Sequence, residues 1–219
     1  MTIALKLADD AGIAAATRVL GEGRLVIHPT ETVTSLSGDP HCTRAVDAAL
    51  RIKGYDKPRP FVCLVKDAAT ARSLAATWNA AAAELAAALW PGPLTLIVVA
   101  AESAPAAVTV DDKLAMRPAV DPVSRRLVTA WGGPLFSTSA NRRGQQPSTS
   151  VKTAVDHLSK APRANAIGAA LLAMGPQTIE PIIVDPSSIV DVTEEPPRLV
   201  REGAIGVARL RAIRPDIRS

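Results

Sequence analysis

The stretch His28-Pro-Thr-Glu-Thr-Val-Thr-Ser-Leu36 begins at the last residue of the apolar run Arg24-Leu-Val-Ile-His28. A short apolar run closed by a proline predicts a β-strand with a sharp end. The side chains of Thr30, Glu31 and Thr32 follow at the strand end, which is a common place for ligand contacts. The stretch therefore predicts a sheet protein with a polar site where this strand stops.

Helical and strand patterns alternate from this stretch to both ends of the chain, which is typical of an α/β fold. Asp39 and Pro40 predict an N-cap and first position for the next helix, and Gly54 predicts its end. No linker divides the chain, so we expect one domain over residues 1–219. The other predicted helices cover 11–20, 68–76, 80–89, 122–131, 149–158 and 164–174, and the other predicted strands cover 61–65, 94–99, 114–117, 135–137, 182–184, 188–192 and 198–200.

Composition limits the classes of partner. The 219 residues are 47% apolar, which is enough for a substantial core. Lys and Arg outnumber Asp and Glu by only 25 to 21, so a small anion such as a triphosphate fits as well as RNA does. Aromatic residues make up 3% of the chain, which weakens any interpretation based on bases stacking on exposed rings.

Cysteine usage and apolar runs predict the compartment. Cys42 and Cys63 do not form a CxxC motif, and the first residues do not resemble a leader peptide. No apolar run approaches the roughly 18 residues that a membrane span requires. We therefore expect a cytoplasmic protein without membrane association.

Two further segments carry cations and hydroxyls. They are Arg51-Ile-Lys-Gly54, continuing through Pro60-Phe-Val-Cys-Leu-Val65, and Ser137-Thr-Ser-Ala-Asn141. Neither a Walker A motif nor a GxGxxG motif is present, so a phosphate site would be built from dispersed cations. The candidate cations are Lys53, Lys57, Arg59, Lys113, Arg117 and Arg201, and the candidate neutral groups are Thr30, Thr32, Ser137, Thr138, Ser139 and Asn141.

Other chemistries have little support in the sequence. His28, His41 and His157 are widely spaced and lack Cys or carboxylate neighbours at ligand spacing, so we predict no metal site in the protein itself. No GxSxG elbow indicates a hydrolase. Glu31 is either a surface carboxylate or a contact for Mg²⁺ or an amine, and the residues alone leave both alternatives open.

Taken together, these segments resemble the YrdC-like family, whose enzymatic members are threonylcarbamoyl-AMP synthases that act in transfer RNA modification. The resemblance extends from about residue 13 to residue 205 and leaves a basic tail over 206–219. Seven ordered anchors carry it: Pro29-Thr-Glu-Thr-Val33, Lys53-Gly54 with Pro60, Trp90-Pro-Gly-Pro-Leu-Thr95, Arg117 with Pro122, Ser139-Ala-Asn141 with Gly144, Pro147 and Ser148, Pro186-Ser-Ser-Ile-Val-Asp191, and Arg198-Leu-Val-Arg-Glu-Gly203.

The resemblance implies a fold and a reaction. The fold is a single-domain twisted mixed sheet with flanking helices and a basic concave cleft. In the reaction, L-threonine and bicarbonate or CO2 form a carbamate that attacks the α-phosphate of ATP, with Mg²⁺ on the phosphates and pyrophosphate as leaving group. The partners it implies are ATP, L-threonine, bicarbonate, transfer RNA and transfer-RNA modification proteins.

The resemblance also implies roles for individual residues. The catalytic residues would be Lys53, Arg117 and Arg201. The threonine site would contain Thr32, Arg117, Ser137 and Ser187. The ATP site would contain Lys53, Tyr55, Arg59, Lys113, Ser139, Asn141, Ser148 and Arg201.

Four departures from the family pattern qualify these roles. Tyr55 stands where the family has an arginine, and Thr34-Ser35 stands where an aromatic residue and a glycine are usual. Leu64 replaces a histidine of some members, and the 144–148 loop is one residue longer than is typical. Two alternatives remain open: a paralogue that uses the same ATP chemistry on another amino acid or carbamoyl donor, and a catalytically weakened RNA-binding module.

Overall fold

The computed structural model describes residues 3–57, 59–172 and 185–219. The strands in these ranges are β1 (Ala4–Leu7), β2 (Leu25–His28), β3 (Ser35–Gly38), β4 (Val62–Val65), β5 (Leu94–Val99), β6 (Lys113–Pro118), β7 (Leu135–Ser139), β8 (Ile167–Leu172), β9 (Ser188–Asp191) and β10 (Arg198–Arg201). The α-helices are α1 (Asp10–Gly21), α2 (Thr43–Lys53), α3 (Ala68–Ser73), α4 (Ala80–Leu89), α5 (Pro122–Trp131), α6 (Val151–Leu158) and α7 (Val207–Arg211).

All ten strands of the described residues form one mixed sheet, in the order β1-β8-β2-β3-β7-β4-β6-β5-β9-β10. The pairs β1–β8, β8–β2, β4–β6 and β5–β9 are parallel, and the other five neighbouring pairs are antiparallel. The centre of the sheet therefore brings together β2, β3, β7, β4 and β6. These five strands carry four of the predicted site residues, Lys113, Arg117, Ser137 and Ser139.

The two faces of the sheet bury different clusters. One face packs Phe136, Cys63 and Met116 with the α2 residues Ala49 and Ile52 in the larger cluster. The opposite face packs Leu64 and Leu135 with Leu20 of α1 and Leu127 of α5. Successive strand residues point to opposite faces, so Leu64 and its neighbour Cys63 belong to different clusters. The predicted mixed sheet with flanking helices is confirmed.

Several sequence predictions agree with the structure at the level of whole elements. Helix α4, helix α5 and strand β5 have the predicted bounds, and most other predicted elements differ by a few residues at their ends. Gly54 has φ 79° at the C-cap of α2, a left-handed conformation that suits glycine. The predicted strand 182–184 lies outside the described residues.

Two predictions were wrong. Asp39 does not cap α2, because its Oδ1 accepts a hydrogen bond from His41 N at 2.9 Å in a turn before the helix, and Cys42 is the N-cap. The predicted helix 164–174 is instead a 3-10 turn over Ala164–Ala166 followed by β8 up to Leu172. An Ala- and Leu-rich run suits either state, and pairing with β1 and β2 on both sides favours the strand.

Candidate active site

One face of the sheet is open over its central strands. Val62, Ala115, Ser137 and Ser139 point away from the Phe136 cluster and are only half-buried. Helices α1 and α5 cover the same face beside Leu64 and Leu135 and leave these residues uncovered. The predicted site residues of β6 and β7 therefore lie on a surface that a ligand can reach.

The loop 29–34 between β2 and β3 reaches β6. Thr30 Oγ1 donates to Val33 O at 2.7 Å and lies 3.1 Å from Thr32 Oγ1, so Thr32 is the donor of that second bond. Glu31 Oε1 pairs with Arg117 Nη1, and both side chains are nearly buried. The second carboxylate oxygen of Glu31 is buried without a hydrogen-bond partner among the described residues. The loop therefore places Thr32 and an unused acceptor near Arg117.

Arg201 is held by neutral oxygens. Its Nε and Nη2 donate to Ser187 O at 3.0 and 2.7 Å, and Nη2 also contacts Ser187 Oγ at 3.2 Å. Ser187 Oγ lies 2.9 Å from Thr95 Oγ1 on β5. Burial, and then the charge of Arg117, lowers the pKa of Arg201, so the two guanidinium groups are close enough to repel each other. An anion between them would relieve this repulsion.

Lys53 joins the end of α2 to the end of β7. Its Nζ donates to Ser139 O at 2.6 Å and to Asn141 O at 3.0 Å, and it lies 3.2 Å from Ser139 Oγ and 3.4 Å from Asn141 Oδ1. None of the ion pairs among the described residues includes Lys53. Burial lowers the pKa of Lys53 to about 8. This ammonium group therefore holds the Ser-Ala-Asn turn in place and adds positive charge under it.

Tyr55 and Arg59 form a surface pair beside this turn. The guanidinium of exposed Arg59 lies 4.7 Å from the centre of the Tyr55 ring, which is a cation–π geometry. The cation expected from the family pattern at position 55 is thus replaced by a phenol that carries a neighbouring cation on its face. This arrangement keeps a positive charge near Lys53 without an arginine in the usual place.

The remaining predicted ATP residues lie at the margin of this group. Lys113 pairs with Asp191 at 2.9 Å, and the strand register extended from β4 places Lys113 at the same end of the sheet as Ser139. The two Cα atoms are then roughly two strand spacings, about 10 Å, apart. Ser148 is half-buried, and its backbone oxygen accepts from Thr34 N at 2.8 Å. For Ser148, the main chain rather than the side chain makes the contact with the loop 29–34.

The sequence did not predict a buried chain of polar groups that begins at His28. His28 Nε2 lies 2.8 Å from Ser37 Oγ, Ser37 Oγ lies 3.2 Å from Ser35 Oγ, and Ser35 Oγ lies 2.6 Å from Ser137 Oγ. Burial lowers the pKa of His28. The available signal was the spacing of Ser35 and Ser37, which places both side chains on one face of a strand.

The structure thus brings most predicted residues to one open face, but a basic concave cleft stays a prediction. Two cavities, of about 600 and 670 Å³, lie elsewhere, one beside Arg44 and Arg163 and the other beside Ile13 and Pro122. In the described ranges no cluster of three His, Cys, Asp or Glu side chains is arranged to hold a metal ion. No helix in those ranges has the length and apolar character of a membrane span.

Comparisons with known proteins identify relatives of this chain. A threonylcarbamoyl-AMP synthase of Xanthomonas campestris is 41% identical over 143 residues, which are 62% of this chain and 74% of that one. The crystal structure of P. abyssi Sua5 complexed with L-threonine superposes with a TM-score of 0.83 at 27% identity, covering 99% of this chain. This chain spans 61% of the length of that Sua5 chain. E. coli YciO superposes with a TM-score of 0.78 at 20% identity over 96% of this chain and 99% of its own, which supports the fold alone.

The model of the Sua5, YciO and YrdC family, described as "Telomere recombination", matches residues 18–203. This match includes the loop 29–34, the Lys53 segment, Arg117, the Ser-Ala-Asn turn and Arg201. The chain therefore belongs to the Sua5/YciO/YrdC family, whose relatives include threonylcarbamoyl-AMP synthases.

Proposed function

We propose that this protein is an L-threonylcarbamoyladenylate synthase, a nucleotidyltransferase that forms threonylcarbamoyl-AMP and pyrophosphate from L-threonine, bicarbonate or CO2, and ATP. The observation that carries the proposal is the convergence of three cations, the buried Lys53 and Arg117 and the exposed Arg201, with the hydroxyl groups of β7 and of the loop 29–34. Two of these cations have only neutral hydrogen-bond partners among the described residues. They are therefore suited to stabilise an anionic ligand.

The amino-acid end of the site consists of Thr32, Arg117, Ser137 and Ser187. Arg117 has five N–H donors, of which the described contacts use only Nη1. We assign the remaining donors to the carboxylate of L-threonine, for which a planar guanidinium is well shaped. Glu31 Oε2 faces no partner and is available to the ammonium group. Thr32 and Ser187 then contact the polar atoms of the same ligand.

The nucleotide end consists of Lys53, Tyr55, Arg59, Lys113, Ser139, Asn141, Ser148 and Arg201. Lys53 fixes Ser139 and Asn141, and Arg59 on the Tyr55 ring supplies an accessible charge for the phosphates. Arg201 hydrogen-bonds Ser187 of the amino-acid end, and its guanidinium group is close enough to Arg117 for the two charges to interact. We assign to it the α-phosphate, which must meet the threonine carbamate.

The reaction then needs positioning more than covalent catalysis. A carbamate oxygen attacks the α-phosphorus, the bond from that phosphorus to the bridging oxygen breaks, and pyrophosphate leaves. Negative charge grows on the phosphate oxygens in this step, and preorganised cations stabilise it. Since the described residues offer no three-ligand metal cluster, we propose that Mg²⁺ enters with ATP, bound to its phosphate oxygens.

The product implies a cellular setting. A threonylcarbamoyl adenylate is an activated group, so we propose that transfer RNA receives it through transfer-RNA modification proteins. The same proposal places the protein in the cytoplasm, where these substrates occur together.

The test is incubation with ATP, Mg²⁺, bicarbonate and each amino acid in turn, with pyrophosphate and adenylates measured. Release of pyrophosphate with threonine alone supports the proposal. Release with a different amino acid would indicate the paralogue. No release, together with salt-sensitive RNA binding, would indicate the binding module and overturn the synthase.

A further inference from the structure

The chain of His28, Ser37, Ser35 and Ser137 runs from the core to the open face, and we name it the hydroxyl chain. His28, Ser37 and Ser35 are buried, with 0%, 0% and 2% of their surfaces exposed, whereas Ser137 is half-buried. The three distances from imidazole to Ser137 are 2.8, 3.2 and 2.6 Å. A buried base is therefore connected to the surface through groups that can both donate and accept a proton.

The direction of these hydrogen bonds is fixed from the buried end. His28 Nδ1 lies 2.9 Å from Pro29 O, an acceptor only, so Nδ1 carries the proton and Nε2 accepts from Ser37. The hydrogen of Ser37 is then used toward His28 Nε2, so a hydrogen bond between Ser35 and Ser37 can be donated only by Ser35. Thr138 O, also 3.2 Å from Ser35 Oγ, competes for the same hydrogen of Ser35.

Both arrangements have one consequence for Ser137. Because the hydrogen of Ser35 goes to Ser37 or to Thr138 O, the 2.6 Å bond must be donated by Ser137. No other side-chain hydrogen bond of Ser137 is formed within the described residues. Its oxygen can therefore accept a hydrogen bond from a ligand on the open face, whereas its hydrogen is already used toward Ser35.

We propose that the hydroxyl chain removes the proton from the ammonium group of the bound amino acid and that His28 is its terminal acceptor. The proposal rests on the proposed function. The ammonium donates a proton to Ser137, while the hydroxyl hydrogens of Ser137, Ser35 and Ser37 each move one place toward His28 Nε2. One N–H bond of the ligand breaks, one N–H bond forms on the imidazole, and the amine keeps its electron pair.

The amine then forms the N–C bond of the carbamate with bicarbonate, and one water leaves. Starting from the zwitterion, this sequence yields one surplus proton, which the imidazolium holds until it returns to solvent. Burial opposes the imidazolium of His28 most strongly and lowers its pKa, the hydrogen bond to Pro29 O and the charge of Asp121 at the start of α5 favour it, and Arg117 on β6 opposes it. Arg117 and Arg201 also favour loss of the ligand's proton, because their charge disfavours an ammonium group nearby.

The kinetic test uses His28→Gln, Ser37→Ala and Ser35→Gly, with Ser124→Ala as the control at a buried hydroxyl on α5 outside the hydroxyl chain. Loss of general-base catalysis is expected to slow pyrophosphate release at neutral pH on the order of 10²-fold or more. The loss should shrink as the pH approaches the pKa of the free ammonium group, since solvent then supplies the amine. An equal fractional loss at every pH would indicate a merely structural role and overturn the proposal.

The reverse reaction separates proton removal from nucleotidyl transfer. Synthesis of ATP from threonylcarbamoyl-AMP and pyrophosphate does not involve the ammonium group, so the three variants should retain the wild-type rate. An equal decrease in the rates of the forward and reverse reactions would contradict the proposed role of the hydroxyl chain. If the rate of pyrophosphate release falls in a pH-dependent way in Glu31→Gln and in none of the three variants, Glu31 rather than His28 accepts the ammonium proton.

A spectroscopic test does not depend on activity. The chain has 3 histidines, so nitrogen-15 imidazole spectra of the wild type and of His28→Gln identify the His28 signals. We expect the neutral Nδ1–H tautomer, and protonation of Nε2 in the neutral ring would overturn the proposal even in an inactive protein. The wild type could show the expected tautomer, release no pyrophosphate, and show no change in the His28 signals when threonine is added. This outcome would contradict both the role of the hydroxyl chain and the synthase activity.

Discussion

The amino-acid end and the nucleotide end of the site hold their cations differently. Arg117 has an anionic partner in Glu31 and lies in the middle of the sheet. Lys53 has only neutral oxygens, and Arg59 is an exposed cation on the Tyr55 ring. The amino-acid end therefore has a cation whose charge is compensated by a carboxylate before any ligand binds. The positive charge of the nucleotide end comes instead from a titratable lysine and a surface arginine.

The largest effect should follow from removing the compensated cation. Arg117→Met takes the carboxylate anchor from the ligand and leaves Glu31 buried without its partner. We expect loss of threonine-dependent turnover and a decrease of about 3–5 kcal/mol in the free energy of unfolding. Urea denaturation and pyrophosphate release measure the two effects.

The matched control for this prediction is Arg117→Met combined with Glu31→Gln. Removing the unpaired buried charge of Glu31 should restore part of the free energy of unfolding but none of the threonine-dependent turnover. Unchanged threonine affinity in the single variant would show that Arg117 does not bind the substrate. It would also contradict the assignment of Arg117 to the amino-acid end.

The second effect concerns the pH response of Lys53. Its pKa is lowered from 10.5 to about 8, so between these values the unfolded chain holds more protons than the folded protein. The free energy of unfolding of the wild type, relative to Lys53→Met, should therefore rise between about pH 8 and pH 10.5. Below pH 8 both states hold the proton, and the penalty for burying the charge is fully present.

Affinity for ATP should fall over the same range in which the free energy of unfolding rises. Deprotonation of Lys53 removes charge from the nucleotide end, so the KM for ATP should increase above about pH 8 in the wild type. Lys66→Met is the control, because Lys66 is an exposed cation away from the site. A pH response that persists in Lys53→Met would exclude Lys53 as its origin.

The third and smaller effect concerns the surface pair. Arg59→Gln should increase the KM for ATP by about 10-fold, since one charge-assisted phosphate contact contributes roughly 1.5–3 kcal/mol when desolvated and less at an exposed position. Tyr55→Leu should have a weaker effect, because a cation–π contact contributes about 0.5–1 kcal/mol at an exposed site. ATP titrations at low and high salt measure both.

The variant Tyr55→Arg sharpens the same comparison. It restores the cation of the family pattern and should compensate for Arg59→Gln in the double variant. Failure of this rescue would mean that Arg59 does not replace the missing arginine.

The smallest effect is expected for Ser148→Ala. The hydroxyl group of the half-buried Ser148 donates to Ser150 O within its own loop, whereas its backbone oxygen accepts from Thr34 N. We expect the KM for ATP to change by less than about 3-fold, because surface substitutions of this kind are usually within about 0.5 kcal/mol. A large change in steady-state ATP kinetics would place the hydroxyl group of Ser148 on the nucleotide.

Local patterns predicted much of the fold. The N-cap Asp121 with Pro122 fixed the start of α5, and Asn79 capped the alanine-rich α4. β1 and β3 were not predicted, because each is a run of four residues that pairs with a strand far away in the sequence, β1 with β8 and β3 with β7. β8 was mistaken for a helix for the same reason, since its partners lie more than 100 residues away.

The sequence indicated candidate residues of the site but not their contacts. Strand ends and the family pattern indicated Thr32, Arg117 and Ser139, but the pairing of Arg117 with Glu31 depends on how the loop 29–34 folds across the sheet. The hydroxyl chain could not be predicted from the sequence for a related reason. Its members come from three strands, and only the register of β3 against β2 and β7 aligns Ser37 with Ser137.

The most direct measurement supplies the wild type with ATP, Mg²⁺, L-threonine and carbon-13 bicarbonate and identifies the adenylate by mass spectrometry. The account predicts an adenylate that contains both threonine and the labelled carbon, in amounts equal to the pyrophosphate released, and its absence in Arg117→Met. Pyrophosphate release with an unlabelled adenylate, or the same labelled product from Arg117→Met, would contradict the account.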